Sequence, residues 1–136
     1  YFEALAEDSG ITLGVKGAIG SIAADREMLT RALNNLLSNA IRHTPRGKSI
    51  TVLLSQDEQW TTISVVNPGE RIPEPDLPKL FNRFYRVDPA RQRNTAGAGL
   101  GLAIVKSIAE AHGGSVAVTS SELVTRFDLV LPHLRQ

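Results

Sequence analysis

The chain has 136 residues, 42% hydrophobic and 21% charged, with a net charge of +1, so it is sized for one domain with a real core. That charge gives no overall attraction for nucleic acid or an anionic membrane, and the absence of cysteine excludes disulfides, thiolate zinc sites and thiol nucleophiles. No run of about 18 apolar residues is present, and a start at Tyr1 rather than Met predicts a piece of a longer protein.

Residues 1–7 carry Phe2, Leu5 and Ala6 at helical spacing and predict a helix end, stopped near Ser9-Gly10. Residues 11–15 alternate as a strand, and 21–23 read as a short second one. Asp25 is a natural N-cap, because its carboxylate can accept the free amides of the turn that follows. A helix is predicted from there to about His43, with Leu29, Leu33, Leu36, Leu37, Ala40 and Ile41 on one broad face. Asn35 and Asn39, at i and i+4, begin a polar stripe that continues into Arg42 and His43. Such a stripe can be a solvated helix face. It can also offer amide oxygens to a hard cation and positive charge to the anion it carries, and Mg²⁺ takes few protein oxygens and shares itself with phosphate. Thr44-Pro45 ends the helix, since the residue before proline resists the α region.

Residues 49–55 and 61–66 are β-rich and joined by a short polar link, which predicts a hairpin; Trp60 reads as a packing residue. Asn67-Pro68-Gly69-Glu70-Arg71-Ile72-Pro73 is a turn by composition. Residues 77–84 predict a short helix whose Phe81 and Phe84 belong to the core. Residues 86–98 have no apolar period and carry Arg86, Arg91 and Arg93, which suits either a solvated basic loop or a lid whose arginines reach a polyphosphate. Gly97-Ala98-Gly99-Leu100-Gly101-Leu102 leads into an apolar-periodic helix that closes at His112-Gly113-Gly114. Glycines at a helix entry are often only a flexible loop. They also let an anion approach amides that have no intrahelical acceptor, where the helix dipole is positive. Residues 116–118 and 127–131 predict a closing antiparallel pair. The order of elements predicts a two-layer α/β sandwich, with a mixed, mostly antiparallel sheet and about three helices on one face.

Four stretches, in order, resemble the motifs of sensor histidine kinases. Residues 35–45, Asn-Leu-Leu-Ser-Asn-Ala-Ile-Arg-His-Thr-Pro, resemble the N box; residues 67–73 resemble the first glycine box. Phe81-Asn82-Arg83-Phe84-Tyr85-Arg86 resembles the F box and residues 97–102 the second glycine box. The resemblance spans nearly the whole chain and implies the ATP-binding catalytic domain of a two-component sensor kinase, with the Bergerat fold that gyrase shares. Asn-Pro-Gly at 67–69, Arg-Phe-Tyr-Arg-Val-Asp-Pro at 83–89 and Ala-Ile-Val-Lys-Ser-Ile at 103–108 are most similar to heavy-metal, copper-type sensors.

The resemblance implies that Asn39 holds Mg²⁺ on the phosphates of ATP, with Asn35 assisting one turn away; these two are the implied catalytic residues. Arg42 and His43 would face the phosphate tail, and Tyr85 and Arg86 would line the cleft. Asn67, Gly69 and Ile72 would serve the base, while Gly97, Gly99, Leu100, Gly101 and Leu102 would supply backbone at the phosphates. Two departures stand out. Asn67 replaces the usual Asp that accepts from the adenine amino group, a weaker acceptor because it is neutral. Arg71 stands where a second glycine is usual.

Hydrolytic relatives carry Glu at the position of Asn35, and an amide cannot take a proton from water. The resemblance therefore implies transfer of the γ-phosphoryl to a histidine on a separate helical dimerisation domain, by positioning and charge neutralisation. None of His43, His112 or His133 lies in the family's phosphoacceptor sequence, so this chain should bind nucleotide without phosphorylating itself. A downstream response regulator is the second implied partner, and no nucleic acid is expected. The isolated chain is expected to be a monomer and the parent a homodimer anchored in the bacterial inner membrane, with this part in the cytosol. A hydrolytic enzyme of the same superfamily, or an inactive nucleotide-sensing module, is the alternative.

Overall fold

The computed structural model describes residues 6–20, 22, 24–69, 71–82 and 101–132. The expected lid at 86–98, together with Phe84, Tyr85, Arg86, Gly97, Gly99 and Leu100, lies outside these residues, as do residues 1–5 of the first expected helix. Five strands form one sheet: β1 (Thr12–Gly17), β2 (Ser49–Gln56), β3 (Trp60–Pro68), β4 (Ser115–Ser120) and β5 (Val124–Pro132). Their order is β1-β2-β3-β5-β4; β1 pairs with β2 in parallel and every other pairing is antiparallel. The parallel pair needs a crossover, which is helix α1 (Arg26–His43). Helix α2 (Gly101–Ala111) bridges back to β4. The expected two-layer α/β architecture is therefore the observed one.

Helix α1 begins where its cap chemistry puts it. The Asp25 side chain accepts from the Met28 amide at 2.9 Å, and Glu27 lies in the first turn against the helix dipole. It ends at Thr44, which is extended (φ −98°, ψ 126°) before Pro45 and whose hydroxyl donates to the Ala40 carbonyl at 2.6 Å. Ala32, Leu36, Ala40 and Ile41 are buried, with Leu29, Leu33 and Leu37 packed around them. Helix α2 ends in a Schellman motif: the Gly114 amide donates to the Ala109 carbonyl (2.8 Å) and the Gly113 amide to that of Glu110 (3.0 Å). Gly113 has φ +78°, and a Cβ on Gly114 would lie 2.0 Å from the Val130 carbonyl oxygen, so neither position accepts a side chain.

Three expectations change. The helix expected at 77–84 is a 3₁₀ segment at Glu74–Lys79. Pro75 and Pro78 bring no amide, so i→i−4 bonding cannot propagate and i→i−3 bonds such as Asp76 N–H to the Pro73 carbonyl (2.9 Å) take over. The described residues thus hold two α-helices and one 3₁₀ helix, with a helical turn at residues 6–8. Ile22, the one described residue of the expected strand at 21–23, is not in a strand. Trp60 is 40% exposed, because it opens β3 at the hairpin turn, where its amide donates to Asp57 Oδ1 at 2.7 Å.

The core lies between the helices and the inner face of the sheet, where alternate strand residues form cross-strand rows. Leu54, Ile63, Leu129 and Val116 make one row; Val52, Val65, Phe127 and Val118 make the next. Phe81 stands edge-on to Phe127, centroids 6.0 Å apart, as its expected core role requires. On the outer face a polar group closes on itself. Buried Ser64 donates to Asp128 at 2.6 Å, and Arg126 donates to both Asp128 (2.8 Å) and Ser64 (3.2 Å).

Candidate functional site

The inner face of the sheet changes character at one end. One step beyond the Val65–Phe127–Val118 row, the aligned residues are Asn67, Thr125 and Ser120. Asn67 is 3% exposed and Thr125 5%, so this polar row is nearly as buried as the apolar rows behind it. Buried polar groups need partners. Ser120 Oγ and Thr125 Oγ1 are 2.8 Å apart, the Ile72 amide donates to Ser120 Oγ at 3.0 Å, and Asn67 Nδ2 donates to the Pro68 carbonyl at 2.9 Å. With one N–H of its NH₂ group donated to the backbone, Asn67 has its carbonyl oxygen as an acceptor.

Helix α1 supplies a second wall. Asn35 and Asn39 are half-buried, one turn apart, and Arg42 and His43 follow them at the exposed helix end. Arg42 Nη2 lies 3.5 Å from Asn39 Oδ1, so that oxygen already faces positive charge. Crowding by surrounding protein, and secondarily the Arg42 charge, lowers the pKa of His43 below the ordinary histidine value, although the residue as a whole is exposed.

Two contacts join the separate motifs to α1. Asn35 Nδ2 donates to the Gly101 carbonyl at 3.3 Å, across 66 residues of sequence. A Cβ on Gly69 would sit 2.9 Å from the His43 carbonyl oxygen, so the turn after β3 lies directly against the end of α1. Gly101 differs: among the described residues a Cβ there would meet Asn35 at 3.9 Å, which is ordinary contact. Leu102 and Ile72 are half-buried, with their side chains packed against the core.

The fold thus brings together Asn35, Asn39, Arg42, His43, Asn67, Gly69, Ile72, Gly101 and Leu102. Tyr85, Arg86, Gly97, Gly99 and Leu100 fall outside the described residues. Sequence reasoning missed Ser120 and Thr125, whose only signal was a hydroxyl on the inward parity of two strands otherwise apolar there. It also read His112 merely as a helix end. Its Nε2 accepts the Asp25 amide at 3.0 Å while Nδ1 lies 2.8 Å from the Ile108 carbonyl, so the ring pins the end of α2 to the start of α1.

The pattern of the histidine kinase-, DNA gyrase B- and HSP90-like ATPase family matches residues 24–135. The chain belongs to that family. It is 54% identical over 132 residues to the sensor histidine kinase CusS of Escherichia coli K12, covering 97% of this chain and 28% of that protein. It is 53% identical over 115 residues to the probable sensor kinase SilS of Salmonella typhimurium, covering 85% of this chain and 23% of that protein. The chain therefore spans about a quarter of the length of these relatives. Among solved structures it resembles the mycobacterial sensor histidine kinase MprB, with a TM-score of 0.85 at 30% identity over 98% of this chain and 91% of that one. Full-length ShkA, solved in complex with AMPPNP, gives a TM-score of 0.83 at 27% identity over 99% of this chain and 28% of that one. Family membership implies ATP binding, and the two-layer sandwich is the Bergerat fold of this ATPase family. Among the described residues no helix is long and apolar enough to cross a membrane.

Proposed function

We propose that residues 1–136 are the Mg-ATP-binding catalytic domain of a sensor histidine kinase, which presents the γ-phosphoryl to a histidine on a separate dimerisation domain. The observation that carries this reading is the joining of three separated motifs on α1: Gly101 at Asn35, and Gly69 at His43. A cleft bounded in that way has amide oxygens on one side, a helix N-terminus on another and a polar floor at Asn67. Adenine would donate its amino proton to Asn67 Oδ1, beside the turn at Gly69 and Ile72. Arg42 and His43 would face the phosphates, together with the backbone of Gly97, Gly99, Leu100, Gly101 and Leu102. Tyr85 and Arg86 would close the cleft from the segment that leads into the lid.

The donor set suits Mg²⁺ held jointly with nucleotide. Asn39 Oδ1 is a neutral amide oxygen on a half-buried residue of α1, the kind of hard donor that Mg²⁺ shares with phosphate oxygens. Asn39 would be its protein ligand, and the ion would supply charge neutralisation between the phosphates. Asn35 orients and does not deprotonate, which favours transfer over hydrolysis and over the alternative of a hydrolytic enzyme. His112, with both ring nitrogens engaged, is a poor phosphoacceptor. The acceptor histidine would therefore come from the dimerisation domain of the same kinase, and a response regulator would take the phosphoryl onward. The isolated chain would be monomeric, and the homodimeric parent, anchored in a bacterial inner membrane, would keep this domain in the cytosol. The kinship with CusS and SilS supports a heavy-metal-responsive parent.

The test is titration calorimetry with Mg-ATP, followed by labelled ATP with and without the helical domain. Saturable binding is expected, with label on the helical domain only. Label on this chain alone, or no binding at millimolar nucleotide, refutes the proposal. Binding without transfer to any helical domain favours the nucleotide-sensing alternative.

A further inference from the structure

We propose that Ser120 is a positioning residue for nucleotide binding, which holds the first glycine turn at Ile72 against the end of the sheet. The proposal rests on the reading that this turn receives adenine. Beyond Pro68 the chain leaves β3, so the Ile72 amide has no strand partner, and an amide in a half-buried position needs an acceptor. Ser120 Oγ accepts it at 3.0 Å, across 48 residues of sequence. The two inward residues that precede Ser120 on β4 are Val116 and Val118, both packed against the core. A third valine would continue that packing but would leave Ile72 without its acceptor.

The serine is itself held. Thr125, 5% exposed, lies 2.8 Å from Ser120 Oγ and is aligned with Ser120 on one side and Asn67 on the other. One row across three strands therefore fixes both ends of the turn. Asn67 is fixed by its place in β3, and Ile72 by the Ser120 hydroxyl and by its own side chain against the core. Gly69 lies between them, pressed on the His43 carbonyl. The turn is thereby set before a ligand arrives, which lowers the ordering cost of binding. Ser120 acts through Ile72 and is not a catalytic residue.

Ser120→Ala and the hydroxyl-retaining Ser120→Thr are compared with the unaltered chain. The measurements are Mg-ADP calorimetry, thermal melting and hydrogen exchange at the Ile72 amide. Ser120→Ala is expected to weaken Mg-ADP binding about five-fold and to speed Ile72 exchange, the effect of one neutral hydrogen bond. Ser120→Thr is expected to retain affinity within about two-fold. Unchanged affinity in Ser120→Ala overturns the positioning role, as does a lowered melting temperature with unchanged affinity of the folded chain. If the unaltered chain binds no nucleotide, the adenine reading itself fails and the proposal falls with it.

Discussion

Asn67 gives the sharpest test of the adenine reading, because two substitutions there should move affinity in opposite directions. In Asn67→Ala the Oδ1 acceptor disappears. A neutral hydrogen bond contributes about 0.5–1.5 kcal/mol net, so Mg-ADP affinity should fall roughly 2- to 12-fold. The same change removes the 2.9 Å bond to the Pro68 carbonyl at a position 3% exposed, and stability should fall by about 1–2 kcal/mol. Asn67→Asp keeps an acceptor and gives it charge, so binding should tighten. A carboxylate, however, cannot donate to the Pro68 carbonyl and would be buried against that oxygen, at a cost of about 1–3 kcal/mol. Affinity up with stability down is a signature that general damage does not produce. Calorimetry with Mg-ADP and a melting curve on each variant read both quantities. Equal affinity in Asn67→Ala and the unaltered chain refutes the assignment, as does Asn67→Asp binding more weakly than either.

The other expectations follow from the two walls of the cleft. Asn39→Ala should abolish the Mg²⁺ dependence of nucleotide binding and phosphoryl transfer to the helical domain while leaving the melting temperature nearly unchanged, since its one described contact is the 3.5 Å approach of exposed Arg42; retained Mg²⁺ dependence counts against it. Gly69→Ala drives a methyl to 2.9 Å from the His43 carbonyl, so stability should fall by about 1–3 kcal/mol and nucleotide affinity with it, and an unshifted melting curve would contradict the contact. His43 has a lowered pKa in the folded chain, so the unfolded chain binds more protons in the window below about 6.5. Its contribution to stability is therefore full above that value and lost as pH falls toward the folded pKa. His43→Gln should flatten the melting-temperature profile between about pH 5 and 7, and an unaltered slope would show that another group governs it. Asn35→Glu, which installs the residue of hydrolytic relatives, should lower stability by about 1–2 kcal/mol without a gain in phosphate release; faster ATP hydrolysis with an unchanged melting temperature would refute this.

Legibility in the sequence tracked how local each signal is. The cap at Asp25, the apolar face of α1, the stop at Thr44-Pro45, the hairpin of β2 and β3 and the glycine cap of α2 each depend on residues within one or two turns, and each is present. The 3₁₀ segment was missed because spacing alone suggested a helix while three prolines in six residues governed which amides existed. The floor of the cleft was half legible. Asn67 was marked by the motif it begins, but Ser120 and Thr125 acquire meaning only from strand register, which sets Asn67, Thr125 and Ser120 side by side over 58 residues of sequence. The pin at His112 was invisible for the same reason, since its partner Asp25 lies 87 residues away.

That pin, together with the Asn35 contact, bears on why position 35 carries an amide. On the proposed reading, helix α1 would offer oxygen atoms to a cation, and α2 would offer amides to the anion that the cation accompanies. The two offers are useful only at a fixed separation. Alongside the packing of their apolar faces, two hydrogen bonds tie the helices together among the described residues: the Asp25 amide to His112 Nε2, and Asn35 Nδ2 to the Gly101 carbonyl. Only a donor can make the second. A glutamate at 35 would set a carboxylate against the Gly101 carbonyl, loosening the start of α2 where the phosphates are to be received. A glutamate at 35 would thus forfeit the hydrogen bond that joins α1 to the start of α2. On the proposed reading, poor hydrolysis would follow from how the two helices are held, as well as from the missing base.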